Sequence, residues 1–591
     1  MTRASWQPKN KMSHISPAAK AHGTSSTRSA HHHRTTTTSL TMAICNTLDK
    51  VIDRWMDPPE QQPTVDPQRV LSGNFVPVDE LPPTPCPVVR GSIPSCLAGG
   101  AYIRNGPNPQ HQFLGRTHHL FDGDGMLHSL LLPSATSTLE SVPVLCSRYV
   151  RTYKYLLEHE ARAPVLPNFL AGFQGLAGLA RAMVFAARVF TGQIDLNKGF
   201  GVANTSITYF VDCLYALCEY DLPYSVHINP ATGEVTTLGR YDFGGNLSLR
   251  MTAHPKKDPV TMELFAFSCS AFQPFIRYFW FDREGKKVAG VPIMSSQKPS
   301  VLHDFAITER YAIFPESQLI VSPMDMVVRG GSFVGLDSAM VPRIGVLPRY
   351  AKDDSDMRWF EVPGFNMLHT TNAWEEPDGE EIVLVGPNIL SIEHLLGNME
   401  LMRARVDMVR VNLRTGDVSC IALSPENLEF GVVHQGYVGH RNRYGYFGVT
   451  GPMPKIIGIR KLDFDLVGFG DCTVARRDFG PGCFAGEPFF VPNNDDRYSN
   501  EDNGYVVCYT HEEATGDSHF VVMDARSLEL DIIAEVQLPG RIPYGFHGVF
   551  VKQAELREQL QLGLNGERAT ILLTVSRWSD RQHCGGLTVG D

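Results

Sequence analysis

Four histidines in this sequence have a local setting that suits the binding of a metal or another ligand. Each lies in or beside an apolar, strand-like run: His254 in MTAHPKKDP, His303 in SVLHDFAITERYAIF, His369 in GFNMLHTTNAWEE and His547 in YGFHGVF. A buried histidine must make hydrogen bonds or coordinate something, because an unpaired polar ring is costly to bury. Taken singly, each of the four also fits an ordinary core position, and no local motif such as His-Glu-x-x-His joins them. The residues alone therefore leave both interpretations open.

The elements that carry these histidines are predicted to be β-strands. Between roughly residues 100 and 550 short apolar runs alternate with glycine turns, as in HINPATGEVTTLG, FDREGKKVAG, VNLRTGDVSC and HEEATGDSHFVVMD. Long helical periodicity is nearly absent, and the main exception is LSIEHLLGNMELMRARVDMVRV. So many strands need a closed or radially repeated architecture to cover their edges. A β-propeller is the best prediction, and its inner strands would allow residues from different blades to meet on the axis.

Composition and charge argue against several classes of protein. The chain has 591 residues, of which 43% are hydrophobic and 10% aromatic, so it can bury a large core. Its formal net charge of -10 argues against a nucleic-acid partner, which usually requires a basic face. The twelve cysteines are scattered without a Cys-x-x-Cys pair, so we expect reduced, mostly buried thiols rather than disulfides or structural zinc.

Three stretches differ from the β-rich region in amino-acid composition or in the spacing of their apolar residues. Residues 1–45 are rich in Ser, Thr and basic side chains and contain no Asp or Glu, which predicts a disordered plastid transit peptide. Residues 42–56 have apolar side chains at near-helical spacing and are predicted to form an amphipathic helix. Residues 165–190 are rich in Leu, Phe and Ala. Two interpretations of that stretch remain open: a buried helical cap, or an apolar patch that dips into a membrane surface.

Several further motifs, together with the four histidine stretches, resemble those of the carotenoid cleavage dioxygenases. They are RNGPNP (104–109), HLFDGDGML (119–127), GPGCFAGEPFF (480–490) and DNGYVVCY (502–509). The resemblance assigns residues 46–553 to one carotenoid oxygenase domain. CTVARRDFGPGC, PRYAKDDSDMRWFEVPGFN and GPMPKIIGIRKLD are most similar to the plant type-four branch, and less similar to the branch that cleaves nine-cis-epoxycarotenoids. Members of the type-four branch typically end soon after the last histidine strand, so residues 554–591 are an atypical C-terminal extension.

The resemblance implies an all-β dominated fold, a seven-bladed β-propeller with a helical dome over its top face. It also implies one Fe(II) per chain on the propeller axis, held without a carboxylate by the four residues that match the family's ligands: His254, His303, His369 and His547. The family orients such rings with glutamates, and the matching residues are Glu219 in LYALCEYDLPY, Glu429 in NLEFGVV and Glu487 in AGEPFF. Thr205 in VANTSITYF matches a position close to an open coordination site, with an ordinary strand threonine as the alternative.

The chemistry implied by the resemblance is oxidative cleavage of a carotenoid or apocarotenoid. Iron held by four neutral imidazoles has positions left for O₂ or water, and apolar surroundings hold a polyene beside it. Attack across one conjugated double bond gives two carbonyl products. Phe546 and Leu368, each directly before a histidine, are candidates for shaping the substrate tunnel, and packing is the alternative role for both.

The resemblance also predicts a location and leaves two alternative functions open. A plant enzyme of this kind with a transit-like leader is expected in a plastid, in peripheral contact with a membrane or a plastid lipid body. One alternative is a non-catalytic carotenoid-binding propeller, which the intact histidine set argues against. The other is a retinoid-type isomerohydrolase of the same superfamily, which the type-four resemblance and the leader argue against.

Overall fold

A computed structural model of the protein describes residues 27–564, except 57–70, 72, 112–117, 135–141, 169, 171–174, 249, 323–333, 396 and 495–499. The helices within these ranges are α1 (Thr27–Trp55), α2 (Tyr153–Ala161), α3 (Gly175–Phe190) and α4 (Gln553–Leu564).

Most of the described chain forms β-strands. The strands of the first part are β1 (Leu81–Pro85), β2 (Val88–Gly91), β3 (Ala101–Pro107), β4 (Gly125–Leu131), β5 (Val144–Tyr149), β6 (Ser206–Phe210), β7 (Cys213–Leu217), β8 (Tyr224–Ile228), β9 (Val235–Arg240), β10 (Lys256–Lys257), β11 (Leu264–Cys269), β12 (Ile276–Phe281), β13 (Lys287–Ile293), β14 (Ala306–Ile307), β15 (Tyr311–Glu316), β16 (Leu319–Val321) and β17 (Val334–Leu336). They continue with β18 (Arg343–Pro348), β19 (Arg358–Glu361), β20 (Asn372–Glu375), β21 (Glu381–Ile389), β22 (Ala404–Asn412), β23 (Val418–Ala422), β24 (Leu428–Val432), β25 (Tyr444–Thr450), β26 (Ile456–Asp463), β27 (Thr473–Asp478), β28 (Cys483–Ala485), β29 (Phe489–Pro492), β30 (Gly504–Glu512), β31 (Ser518–Asp524), β32 (Ile532–Gln537) and β33 (Gly548–Val551).

Apart from β16 and β17, which form a two-stranded sheet of their own, the strands form seven antiparallel blades. In the hydrogen-bonded order, blade one is β33-β3-β4-β5-β1, blade two β6 to β9, blade three β10 to β13, blade four β14-β15-β18-β19 and blade five β20 to β23. Blade six is β24 to β27, and blade seven contains β28 to β32 with β2 at its outer edge; a single pair of residues in β26 and β28 links these two blades. The predicted seven-bladed propeller is confirmed.

The ring is closed by strands from both ends of the chain. The last strand, β33, pairs antiparallel with β3, with Ala101 opposite Val551 and Arg104 opposite Gly548. The early strand β2 pairs with β32 at the far edge of blade seven. Each closure satisfies a strand edge that would otherwise be open.

The hydrophobic core lies between the blades rather than at one centre. Seven clusters of buried side chains each take members from two neighbouring blades and together run around the ring. At the seam between blades one and seven, Tyr102 packs against Tyr509 with ring centroids 5.0 Å apart. Since strand side chains alternate between two faces, each blade contributes one face to each neighbour.

All four hairpins that the glycine turns predict are confirmed. They connect β8 with β9, β12 with β13, β22 with β23 and β30 with β31. The turn glycines, Gly233, Gly285, Gly416 and Gly516, have φ values of 78°, 82°, 85° and 80°, which glycine adopts without the strain of a Cβ atom.

The helical prediction for residues 390–411 is wrong. The segment forms two short 3-10 turns, Ile392–His394 and Met399–Leu401, and then enters strand β22. All nine residues of β22 pair with β21, and this pairing overrides the helical spacing of the apolar residues because the ladder satisfies every backbone group on that side.

Helices lie at both ends of the described chain. Helix α1 ends at Trp55 and covers all but the last residue of the predicted helix of residues 42–56; it begins at Thr27, within the stretch predicted to be a transit peptide. Residues 1–26 lie outside the described residues. At the other end, α4 occupies the first part of the predicted extension, and Leu556 is fully buried against blades one and two.

Helices α1 and α3 pack against each other on the outside of the propeller. Ile52 and Val184 are buried between them, and ion pairs join Arg181 to Asp53 at 2.9 Å and Arg188 to Asp49 at 2.6 Å. The other side of both helices carries exposed apolar side chains: Leu40, Ile44, Leu48, Val51 and Trp55 from α1, and Leu176, Met183 and Phe190 from α3. Within residues 165–190, helix α3 is thus buried on one side, as the interpretation as a helical cap requires, and apolar but exposed on the other; the interpretation as a membrane-contacting patch stays a prediction.

Two further expectations concern the cysteines and the membrane. The cysteines of the described residues are all free, and most are buried, as predicted; Cys584 lies outside these residues. None of the described helices combines the length and the apolar character that crossing a membrane requires.

Candidate metal centre

Each of the four histidines lies shortly before the innermost strand of a blade. His547 comes one residue before β33, His254 two residues before β10, and His303 and His369 three residues before β14 and β20. All four strands stand at an end of their sheet. The inner strands of a propeller converge on its axis, so the fold brings side chains from blades one, three, four and five to one place.

The four imidazole rings face one another closely. One ring nitrogen from each histidine lies within 4.8 Å of the corresponding nitrogens of the other three. The Nε2 atoms of His254 and His303 are 3.0 Å apart. The ring centroids of His254 and His547 are 4.5 Å apart, and those of His303 and His369 are 5.0 Å apart. The structure therefore brings together all four histidines that were predicted from the sequence.

Two of the predicted glutamates reach the other ring nitrogen of a histidine from separate blades. Glu487 Oε1 lies 2.8 Å from His547 Nδ1, and its Oε2 accepts a 3.0 Å hydrogen bond from the N–H of Gly548. Glu219 Oε1 lies 2.7 Å from His303 Nδ1 as an ion-pair contact that lacks the alignment of a hydrogen bond. Glu487 also joins blade seven to the first residue of β33.

Glu429 is aimed at the axis by a bulge in β24. The register of β24 against β25 shifts between Glu429 and Val432, and Phe430 has a φ of 53°, which is rare outside glycine. The carboxylate of Glu429 lies 3.0 Å from His369 Nδ1 and accepts a hydrogen bond from the Phe430 N–H at 2.5 Å. Bulges of this kind redirect a side chain and are common beside functional sites.

Burial and the paired charges set the protonation of these groups. Burial lowers the pKa of His254, and the neighbouring histidines lower it further. Burial also opposes the charged form of His369, but the carboxylate of Glu429 outweighs it and raises the pKa of His369. Burial favours the neutral form of Glu219 and Glu429, but their histidine partners lower both pKa values. The carboxylates of Glu219 and Glu429 are therefore held in the anionic form, and that of Glu429 lies within hydrogen-bonding distance of His369 Nδ1.

The donor set fits a bound cation. A histidine that donates from Nδ1 to a carboxylate presents an unprotonated Nε2. Nitrogen lone pairs that face one another within 4.8 Å repel unless a positive charge lies between them. The carboxylates of Glu219 and Glu429, whose pKa values are lowered, also adjoin the rings, and buried negative charge needs compensation. Imidazole nitrogens suit iron, zinc, copper and nickel.

A mainly apolar cavity of about 370 Å³ adjoins the histidines. Phe546 and Leu368 both line it, Phe546 with its ring edge-on to Phe121 at 5.4 Å. Thr205 also lines the cavity, and its carbonyl oxygen accepts a 3.4 Å hydrogen bond from the N–H of His547. The three side chains predicted to lie beside the metal or the substrate thus share one cavity wall with the histidines.

Asp304 was not among the residues predicted from the sequence, although it ties three histidine-bearing segments together. Its Oδ2 accepts hydrogen bonds from the N–H and the hydroxyl of Thr370 at 2.8 and 2.9 Å, and its Oδ1 lies 2.8 Å from Lys256 Nζ. Asp304 and Thr370 each directly follow a site histidine, and Lys256 is two residues after another. The polar residue directly after His303 and after His369 was the available clue in the sequence.

Comparisons with known proteins agree with this fold and centre. The model of the RPE65 family, described as retinal pigment epithelial membrane protein, matches residues 75–552. A rice protein (Oryza sativa subsp. japonica) named 9-cis-epoxycarotenoid dioxygenase NCED2, chloroplastic, is 80% identical over 95% of this chain and 97% of its own. An Arabidopsis thaliana protein named "Probable carotenoid cleavage dioxygenase 4, chloroplastic" is 52% identical over 88% of this chain and 87% of its own.

A solved structure carries a metal on the same fold. The crystal structure of cobalt-substituted Synechocystis apocarotenoid oxygenase (ACO) matches with a TM-score of 0.66 and 26% identity, and covers 83% of this chain and 100% of that chain. A seven-bladed propeller with a partly buried cluster of four histidines beside a mainly apolar cavity fits the iron-dependent carotenoid dioxygenases. The chain belongs to the RPE65 family, which includes the carotenoid cleavage dioxygenases. The predicted family and plastid location are confirmed, whereas the relatives carry names from both plant branches, so the type-four branch stays a prediction.

Proposed function

We propose that the protein is a plastid dioxygenase that uses Fe(II) and O₂ to cleave one conjugated double bond of a carotenoid or apocarotenoid. The observation that carries the proposal is the convergence of four histidines beside a mainly apolar cavity. Named dioxygenases among the relatives support it. In this proposal His254, His303, His369 and His547 hold the iron, which supplies the activation of O₂ at its remaining coordination positions.

The reaction balances without another reactant. The carbon–carbon double bond breaks, each of its carbons takes one oxygen atom from O₂, and two carbonyl products form. The four electrons that reduce O₂ come from the double bond, so neither a reductant nor an acid–base pair is required. The protein must exclude water and hold the polyene, and the mainly apolar cavity provides both functions.

Positioning is the role that this proposal gives to the surrounding residues. Glu429 and Glu487 hold the Nδ1 protons of His369 and His547, Glu219 lies against His303 Nδ1 as an ion-pair contact, and the three carboxylates so keep the Nε2 lone pairs directed at the metal. Phe546 and Leu368 define the cavity wall next to the histidines and help to select the double bond that reaches the oxygen. Thr205, on the same wall, limits the space beside the open coordination positions.

Isotope labelling of the products tests the proposal. Fe(II)-loaded protein is incubated with β-carotene, zeaxanthin or an apocarotenal under ¹⁸O₂, and the products are identified by mass spectrometry. We expect two carbonyl fragments that both carry the label, and no product under nitrogen. Absence of cleavage for every polyene, or the label in one fragment only, would contradict the proposed dioxygenase.

A pair of histidine variants separates this function from simple pigment binding. His369→Ala is expected to abolish iron retention and cleavage. His519→Ala is the matched control, because His519 lies 3.7 Å from Glu535 in blade seven as another histidine–glutamate pair. A non-catalytic binding protein would keep full pigment binding without iron or O₂, and an isomerohydrolase would release a rearranged alcohol rather than two carbonyl fragments.

We propose peripheral contact with a membrane or a plastid lipid body through α1 and α3. The exposed apolar residues of α1 recur every three or four positions, and those of α3 every seven, so each helix presents one continuous apolar face. Trp55 is 76% and Phe190 94% exposed. Such faces bind lipid surfaces in proportion to the apolar area that they bury.

Flotation with phosphatidylcholine vesicles tests this contact. Changing both Trp55 and Phe190 to Ser should weaken vesicle binding while cleavage of detergent-solubilised substrate continues. Phe469→Ser is a matched control, since Phe469 is 87% exposed but lies in blade six. Equal vesicle binding by the double variant and the unmodified protein would contradict the proposal.

Residues 1–45 are proposed to act as the plastid transit peptide, on the basis of their basic, acid-free composition. Import into isolated chloroplasts, followed by N-terminal sequencing of the processed chain, tests the assignment. A chain that lacks residues 1–26 should fail to enter. Import of that chain at the normal rate would contradict the transit role.

A further inference from the structure

One region of the mainly apolar cavity is polar. Arg250, Ser270 and Ser300 all line the cavity, and together they are called the polar end below. Arg250 is close enough to Cys269 for its charge to act on that thiol. The Cys269 thiol in turn lies 3.7 Å from the carbonyl oxygen of Leu302, two residues after Ser300. Cys269 thus lies near both Arg250 and the segment that contains Ser300, and Ser270 is its neighbour in the sequence.

Ser300 has an unused hydroxyl at this position. It is 4% exposed, and within the described part of the chain its Oγ has no hydrogen-bond partner. Ser270, by comparison, accepts a 3.1 Å hydrogen bond from the N–H of Phe272. Buried hydroxyl groups are normally satisfied, so an unsatisfied one facing a cavity indicates a ligand atom that completes it.

Arg250 also lacks a partner of its own. Among the described residues nothing forms a hydrogen bond or an ion pair with its guanidinium group. Arg349, a buried arginine of the propeller, is by contrast paired with Asp258. A guanidinium offers five donors and no acceptor, so the partly exposed Arg250 can donate to an oxygen atom of a ligand in the cavity.

We infer that the polar end binds an oxygen atom on the end group of the polyene, either a ring hydroxyl or a terminal carbonyl. The inference rests on the proposed cleavage function and narrows its substrates from all carotenoids to oxygenated ones. Ser300 stands three residues before His303, and three residues span at most about 10 Å. The end group and the reacting double bond then fit on one extended substrate.

Equilibrium binding tests the inference independently of turnover. Quenching of tryptophan fluorescence, measured under nitrogen, gives Kd for zeaxanthin, an apocarotenal and oxygen-free β-carotene. In Arg250→Met and Ser300→Ala the affinity for the oxygenated ligand should fall about tenfold relative to β-carotene, the usual effect of one lost hydrogen bond to a charged or buried group. A change for zeaxanthin identifies the hydroxyl as the recognised group, and a change for the apocarotenal identifies the carbonyl.

Effects of the substitutions on ligand binding must be separated from effects on the stability of the fold. Ser300→Ala removes a hydroxyl without a partner, so its melting temperature should not decrease. Arg283→Met is the control for the loss of an arginine, since Arg283 is 73% exposed on the β12–β13 turn. An unchanged Kd ratio for both oxygenated ligands in a stable Ser300→Ala variant overturns the inference. If β-carotene is bound but no polyene is cleaved by the unmodified protein, the proposed cleavage function fails instead.

Discussion

Replacement of Glu487 with glutamine should weaken metal binding through the loss of a single hydrogen bond. The carboxylate takes two donors at once, His547 Nδ1 at 2.8 Å and the Gly548 N–H at 3.0 Å, one on each oxygen. A glutamine of the same shape has one oxygen and one NH₂ group. Whichever way the amide turns, its NH₂ faces one of the two donors.

The magnitude follows from the burial of this pair. The side chain of Glu487 is 8% exposed, and a buried donor that loses its acceptor costs about 1–3 kcal/mol. If His547 Nδ1 loses its acceptor, the orientation of the imidazole ring is no longer fixed. The loss of such a hydrogen-bond partner of a metal ligand typically lowers metal affinity about 10–100-fold. Glu219 is 28% exposed and its contact with His303 is poorly aligned, so Glu219→Gln should be near the lower end, about tenfold.

Competition with a chromogenic chelator under nitrogen measures both affinities, and melting curves with and without metal separate ligand loss from unfolding. The expected order is a larger loss of affinity for Glu487→Gln than for Glu219→Gln. An equal or reversed order would refute the argument that alignment and burial decide the contribution of each carboxylate. Unaltered affinity in both variants would show that the glutamates do not orient the rings.

Three further predictions concern the cavity, a buried ion pair and the C-terminal helix. Phe546→Ala should change the ratio of cleavage products with iron content retained, as measured by chromatography and metal analysis. Arg349→Ala leaves Asp258 without its buried partner and should cost about 3–5 kcal/mol of unfolding free energy in denaturant titrations, while Arg283→Ala should cost nothing measurable. Leu556→Ala should cost about 2–5 kcal/mol, because Leu556 is 0% exposed in α4; no change would show that α4 is dispensable.

Local turn chemistry made the β-rich architecture predictable from the sequence. The four hairpin turns each contain a glycine in a backbone conformation that favours this residue: Gly233, Gly285, Gly416 and Gly516. Each turn can therefore be predicted from its local sequence alone. The histidines were visible for a similar reason, since a polar ring in an apolar run is conspicuous. Their meeting point was not visible, because it depends on how seven blades are arranged around the axis.

The remaining features depend on long-range pairing that no short stretch encodes. The direction of Glu429 is set by a bulge opposite β25 and by the positive φ of Phe430, and neither follows from the letters NLEFGVV. Asp304 acquires its role only when β14 and β20 lie side by side and Thr370 comes within 2.9 Å. Residues 404–411 form a strand, despite their helical spacing, because β21 is available as a partner.

The centre and the closure of the ring depend on each other. His547 directly precedes β33, the strand that joins the C-terminal part of the chain to β3 in blade one. Glu487 belongs to blade seven and binds both His547 and the first residue of β33, so a single carboxylate crosses the seam where the ring closes. A metal held by all four histidines links this seam to blades three, four and five. Because a ligand that binds only the folded state stabilises it, occupation of the centre stabilises the closed ring, and the ring in turn holds the fourth histidine in place.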